Sequence, residues 1–174
     1  MALVATLGSG PPARFGFGRP ARADEIAAWN ISVRPDGKGL PPGSGTARDG
    51  AAIYASRCAS CHGATGREGP ADPMVGREPR VGFPFGRDPT LVRTIGNYWP
   101  YATTLYDYID RAMPLSSPGS LAPNEVYSLV AYLLWRNEVI TDTALVDART
   151  LPRVAMPARS RFVIDNRRGG REVR

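Results

Sequence analysis

The sequence predicts an all-α domain of about four to five helices, and three observations carry that expectation. Apolar residues recur at helical spacing in the second half of the chain. Leu105, Tyr108, Ile109 and Ala112 fall at i, i+3, i+4 and i+7, while Val126, Leu129, Val130, Leu133 and Leu134 form a second stripe. Nothing alternates with period two over a useful length, so no sheet is expected. Helix-start spacing occurs twice, at Thr46-x-x-Asp49 and Thr104-x-x-Asp107.

Taken in order, residues 1–45 read as an irregular N-terminal extension, rich in Gly and Pro, with a short helix over about 23–29. The first firm helix starts at Thr46 and runs through Gly50, Ile53 and Tyr54 to a cysteine pair. Residues 63–85 read as loop. A second helix is expected from Asp88 as N-cap, with Pro89 at the first helical position, to about Gly96. A third runs from Thr104 to Met113-Pro114, where proline disfavours helical geometry in the residue before it. The last runs from about Pro123 to Asn137. Its N-cap position holds Ala122, where Ser or Thr is usual, at a cost of about 1 kcal/mol. The division is an extension over 1–45, a core domain over 46–140 and a C-terminal extension over 141–174.

The chain has 174 residues, 43% of them hydrophobic, with 19 Gly and 17 Pro, so one core with long loops is expected. No stretch of about 20 apolar residues exists, and no transmembrane helix is predicted. Met1–Gly10 lacks a basic n-region and is too short for a complete export signal, so an exported form is expected to have shed its signal. The net charge of +6 resides wholly in 149–174, where eight arginines face only Asp165 and Glu172. That tail reads either as a basic arm for an acidic partner or as a solvated segment of an arginine-rich chain whose one lysine is Lys38. No aromatic interleaving or reader motif accompanies the arginines, which argues against nucleic acid.

Cys58 and Cys61 are the two cysteines, and the residue that follows them, His62, is the one histidine. C-x-x-C-H reads as the attachment motif for a single haem c, held by thioethers to Cys58 and Cys61 with the imidazole on one face of the iron. A zinc site needs more ligands than the chain owns, and a thioredoxin-like dithiol needs a βαβ pattern that is absent. With no second histidine, the other axial position falls to a methionine, and Met/His ligation raises the reduction potential. Met113, at a helix end before Pro114, is the favoured metal ligand beside His62, with Met74 as runner-up. Met1 is terminal and Met156 sits in the basic tail. Pro70 is placed to offer a backbone carbonyl to the free nitrogen of His62. Tyr98, Trp99 and Tyr101 suit a haem edge, and Arg87 and Arg93 could pair with a propionate. No catalytic acid, base or nucleophile is expected.

His62 with Pro70, Met113-Pro114 and a terminal helix bearing Tyr132 resemble the class I cytochrome c fold. That resemblance implies a contact of Gly50 and Tyr54 with Tyr132 where the first and last helices cross. The stretches 15–20, 29–37, 40–45, 95–102 and 147–152, among them Asn97-Tyr98-Trp99-Pro100-Tyr101, are similar to the SoxD-type cytochrome subunit, over about residues 15–163. The family implies a hetero-oligomeric partner, a molybdenum-containing subunit of the sulfite oxidase type in a sulfane or sulfite dehydrogenase. It also implies a downstream soluble cytochrome c and a periplasmic location. Some family members carry two haems, and the single motif here matches the one-haem form. The extensions, with apolar Phe15, Phe17, Trp29, Ile31 and Phe162, favour a bound electron-transfer subunit. A freely diffusing carrier between a dehydrogenase and a terminal oxidase would leave them unexplained. A haem enzyme or sensor with an open iron would require Met113 not to ligate.

Overall fold

Five α-helices among the described residues build the fold in the computed structural model, which describes residues 17–163. The chain divides into two units, Met1–Ile31 and Ser32–Arg174. The leader motif at Phe15-Gly16 and the basic tail beyond Val163 lie outside the described residues. In the first unit, α1 (Ala23–Trp29) forms where the sequence places it. Its first turn carries Asp24 and Glu25, favourable charges at a helix N-terminus, and these pair with Arg22 and Arg19.

In the second unit, Thr46 caps α2 (Ala47–Arg57): its hydroxyl accepts from Asp49 N–H at 3.3 Å and donates to the Asp49 carboxylate at 2.7 Å. α2 ends at Cys58, whose φ of −123° leaves the helical region, and a single turn, α3 (Ala59–His62), follows. α4 spans Ala102–Ala112 and α5 spans Pro123–Arg136. α4 starts two residues before the expected Thr104 because that hydroxyl serves the interior instead, donating to Tyr101 O and accepting from Trp99 Nε1. Asp107 likewise caps nothing on its own helix: it accepts from Val33 N–H at 2.7 Å and pairs with Arg111. The helix stops at Met113 in extended geometry, as Pro114 requires. The buried face of α4 carries Tyr106, its ring tilted against Tyr127 at a centroid distance of 4.6 Å, whereas Tyr108 of the expected stripe is 46% exposed.

α5 is the centre of the molecule. Every residue from Val126 to Leu134 is buried, so the helix is enclosed all round and not on one stripe. Each large apolar side chain among them stabilises by about 1.5–3 kcal/mol through burial. α2 crosses α5 at Gly50, where a Cβ would lie 2.0 Å from Ser128 O and 2.7 Å from Tyr132 Cβ. Tyr54 stacks on Tyr132 at 5.0 Å one turn further on. The crossing implied by the class I cytochrome c resemblance is thus present. At the start of α5, Glu125 accepts the Ala122 N–H at 2.8 Å, and Ala122 itself has no side-chain oxygen to return the bond. Ala122→Ser supplies it. A gain of roughly 0.5–1 kcal/mol is expected, read as a melting temperature raised by a few degrees; an unchanged or lowered melting temperature contradicts this reading of the cap.

Two expectations fail. The helix over 88–96 does not form. Asp88 turns its carboxylate to the N–H and hydroxyl of Thr90, at 3.0 and 2.6 Å, and this local turn competes with helix. Buried Asn97 then holds the segment by accepting from Thr94 N–H and donating to the Glu78 and Val92 carbonyls. Only a 3₁₀ turn at Pro84–Gly86 precedes it. A small sheet does exist: β1 (Ser44–Gly45) pairs antiparallel with β2 (Val146–Asp147). The pairing joins segments a hundred residues apart, which no local alternation could announce. From Ser32 on, the N-terminal extension packs with the core. Tyr127 OH donates to Pro41 O at 2.8 Å, Thr103 donates to Pro35 O, and Val33 is buried. In the C-terminal extension Leu151, Met156 and Ala158 are buried too. No helix among the described residues is long and apolar enough to cross a membrane.

Candidate haem site

The break between α2 and α3 sets the geometry of the attachment motif. Cys58 sits at the break, half-buried, and Cys61 and His62 lie on the single turn that follows, with Cys61 exposed. Both thiols are free. Burial pushes the Cys58 thiol up to about 11. A nucleophilic thiol is marked by the opposite shift, a lowered pKa.

The loop after His62 is tied to both neighbouring helices. Gly63 takes a φ of +77°, and its carbonyl accepts from Tyr54 OH at 2.8 Å. Burial raises the Tyr54 phenol to about 12, so it stays a donor at any ordinary pH. Gly69 passes so close to the attachment turn that a Cβ would lie 2.0 Å from Cys61 O, and Ala71 N–H donates to that same carbonyl at 2.9 Å. Glu68 closes the loop on Thr65, accepting from its N–H at 2.9 Å and its hydroxyl at 2.5 Å. The Thr65 hydroxyl, then its N–H, lower the Glu68 carboxyl to about 2. A depressed carboxyl contributes stability that is full above its ordinary value of 4.5 and is lost as the pH falls toward about 2. Exchange protection of the Thr65 amide is expected to fade across that window. Protection that persists unchanged at its lower end overturns the assignment.

Pro70 lies on the stretch that contacts the attachment turn, but no hydrogen bond joins it to His62. His62 Nδ1 is buried without a partner in the structure. Cys58, Ala59, Met74, Trp99 and Met113 all stand, partly buried, on the rim of one apolar core. Met156 is 4% exposed and packs inside that core, while the backbone of Met74 is bonded on both sides: its N–H donates to Gly66 O and its carbonyl accepts from Ile95 N–H and Asn137 Nδ2. Met113, in extended geometry past the end of α4, has no such ties beyond its N–H to Ile109 O.

The donor set fits a covalent haem. Two unpaired thiols lie three residues apart, the adjacent imidazole has an orphaned buried nitrogen, and a thioether stands on the same apolar rim. Residues 45–133 match the protein family described as "Cytochrome C oxidase, cbb3-type, subunit III". The chain is also similar to a chain of the "Crystal Structure of the Sulfane Dehydrogenase SoxCD from Paracoccus pantotrophus". They are 38% identical, the match covers 88% of this chain and 73% of that one, and the TM-score is 0.75. The chain belongs to the cytochrome c family. No curated protein sequence matches it. The SoxD-type resemblance read from the sequence agrees with the SoxCD match. A cytochrome c carries electrons on a covalent haem c, and Cys58 and Cys61 lie inside the region the family covers.

Of the remaining predicted residues, Trp99 stands on that rim and the others take separate partners. Tyr98 enters an aromatic cluster with Phe83, Phe85 and Phe162, at centroid distances of 5.2–5.5 Å. Trp99 turns to α4, bonded to Thr104 at 3.0 Å and 5.8 Å from Tyr108. Tyr101 lies beneath the Arg159 guanidinium at 4.8 Å. Arg93 stacks over Tyr98 at 5.1 Å, and Arg87 is exposed. Sequence reasoning placed Asn137 at the end of the last helix and missed its bonding role. It is fully buried, accepts from Gly76 N–H at 2.9 Å, and donates to Leu133 O and Met74 O at 2.8 and 3.2 Å. Its position just past the end of α5, where Asn is common, was the available signal.

Proposed function

We propose that this cytochrome is the mono-haem electron-transfer subunit of a periplasmic complex. In it the cytochrome accepts electrons from a molybdenum-containing sulfane or sulfite dehydrogenase partner and passes them to a soluble cytochrome c. The observation that carries this reading is the reach of the SoxCD match. The cytochrome family match is confined to 45–133, whereas the likeness to the sulfane dehydrogenase structure covers 88% of the chain and therefore takes in part of both extensions. A carrier that only diffuses between partners needs the core and a small docking patch. The extensions are the added feature, and Trp29, at 87%, and Val163, at 91%, are among their exposed apolar members.

When bound, the haem supplies a one-electron ferric/ferrous couple. The chain's own residues do the rest. Cys58 and Cys61 anchor the group, and His62 and Met113 hold its two faces. Tyr54 and Glu68 fix the loop beside His62, and the apolar rim of Ala59, Met74 and Trp99 keeps water from the site. Low polarity and a thioether ligand both favour the reduced state. The division 1–45, 46–140 and 141–174 assigns partner contact to the two ends and electron transfer to the middle. The test is purification of the cytochrome from its native host. Co-elution of a molybdenum-containing subunit at a fixed ratio supports the reading. A cytochrome that elutes alone at low salt overturns it in favour of a diffusing carrier.

A further inference from the structure

We propose that the groove lined by Arg67, Arg77, Arg80 and Arg136 is a binding site for a small multivalent oxyanion of the sulfate or phosphate type. The groove encloses about 440 Å³ between the loop after the attachment motif and the end of α5. Cys58, Cys61, His62 and Met113 are not among the residues that line it.

Its charge is unbalanced. The carboxylates on its wall are Glu78 and Glu138, and Arg80 engages both, at 3.1 and 2.8 Å. Arg67, Arg77 and Arg136 pair with no carboxylate among the described residues. Four arginines against two carboxylates leave the lining with a net charge of +2, and a concavity with an excess of one sign focuses its potential on whatever enters.

The donors are also set in place beforehand. Arg77 Nη1 donates to Asn137 O and Glu138 O, each at 3.2 Å. Arg136 Nη1 donates to Tyr132 OH at 2.9 Å and Nη2 to Thr65 O at 3.4 Å, with its guanidinium over the Tyr132 and Trp135 rings. Neutral partners orient these groups without cancelling their charge. Each guanidinium has five N–H donors, so several on each remain for a ligand. The wall behind them is held by Asn137, which accepts from Gly76 N–H, and by Thr94, which donates to Gly76 O at 2.6 Å. The planar fork of arginine matches two oxygens of a tetrahedral oxyanion. The groove is wider than one such ion, since a water occupies about 30 Å³, so part of the hydration shell enters with it.

The test is calorimetric titration of the haem-loaded full chain with sodium sulfate and sodium phosphate, against sodium chloride at equal ionic strength. Saturable binding of a multivalent anion with a Kd below about 1 mM is expected. It should weaken at least about tenfold in Arg67→Ala and in Arg77→Ala. Arg48→Ala removes an exposed arginine outside the groove and should change nothing. Glu138→Gln frees part of Arg80 and should tighten binding, a gain that a misfolded variant cannot mimic. Absence of saturable heat, equal weakening in Arg48→Ala, or no tightening in Glu138→Gln overturns the proposal.

Discussion

Met113→Ala lowers the reduction potential of the haem-loaded cytochrome and opens its iron to added cyanide or imidazole. A thioether sulfur favours ferrous iron, and its loss removes that preference. Axial ligands move haem potentials over roughly 0.8 V, and a fall on the order of 0.2 V is expected here. The assignment of Met113 is part of the proposed function, and Met74 is its competitor. Met156 is buried among core side chains, and Met74 has its backbone bonded on both sides, to Gly66, Ile95 and Asn137. Met113 stands in extended geometry at the end of α4, on the apolar rim shared with Cys58 and Trp99. Redox titration and cyanide binding followed by absorbance check the assignment. An unchanged potential with no ligand binding moves the assignment to Met74, and Met74→Ala should then show both effects.

Gly50→Ala destabilises the cytochrome by roughly 3 kcal/mol, the upper end of overpacking costs. The reason is the crossing of α2 and α5. The added methyl would meet Ser128 O at 2.0 Å and Ser128 C at 2.6 Å, which are backbone atoms of a fully buried helix. No rotamer change relieves that clash, so the helices must separate, and the Tyr54–Tyr132 stack at 5.0 Å must separate with them. The same stack holds Tyr54 over Gly63, so the loop beside His62 loosens as well. Gly86→Ala is the control, because nothing lies within 4 Å of its added Cβ. Urea unfolding of the holoprotein reads the difference. A midpoint equal to the parent's in Gly50→Ala contradicts the close crossing.

How much of this was legible in the sequence depends on how local the determinant is. The cap at Thr46, the stop at Met113-Pro114 and the existence of α5 are written within a few residues and emerge as expected, whereas its burial on all sides exceeds the predicted stripe. The helix over 88–96 was misread because Asp88 can cap a helix or close a turn. The choice is made by Asn97, which ties Val92 O within that window to Glu78 O, a partner outside the window that suggested the helix. Tyr106 and Tyr108 both fit an apolar face, and only the position of Tyr127 on α5 decides between them. The β1–β2 pair and the Asn137 bonds to Met74 and Gly76 join distant segments, which periodicity does not reach. At the site, Cys58, Cys61 and His62 are adjacent in sequence, so their chemistry is readable directly. The run Tyr98 to Tyr101 is adjacent too, but its three aromatic rings leave the chain in different directions, toward Phe83, Thr104 and Arg159.

The central claim, that this cytochrome is the electron acceptor of a bound sulfur-oxidising partner, is tested most directly by rapid mixing. The complex purified from the native host is mixed with sulfite or with thiosulfate while the haem absorption is followed. The account predicts reduction of the haem by at least one of the two donors, at a rate that does not fall on dilution of the complex. A haem that dithionite reduces but neither sulfur donor does, in a preparation containing the partner, contradicts it.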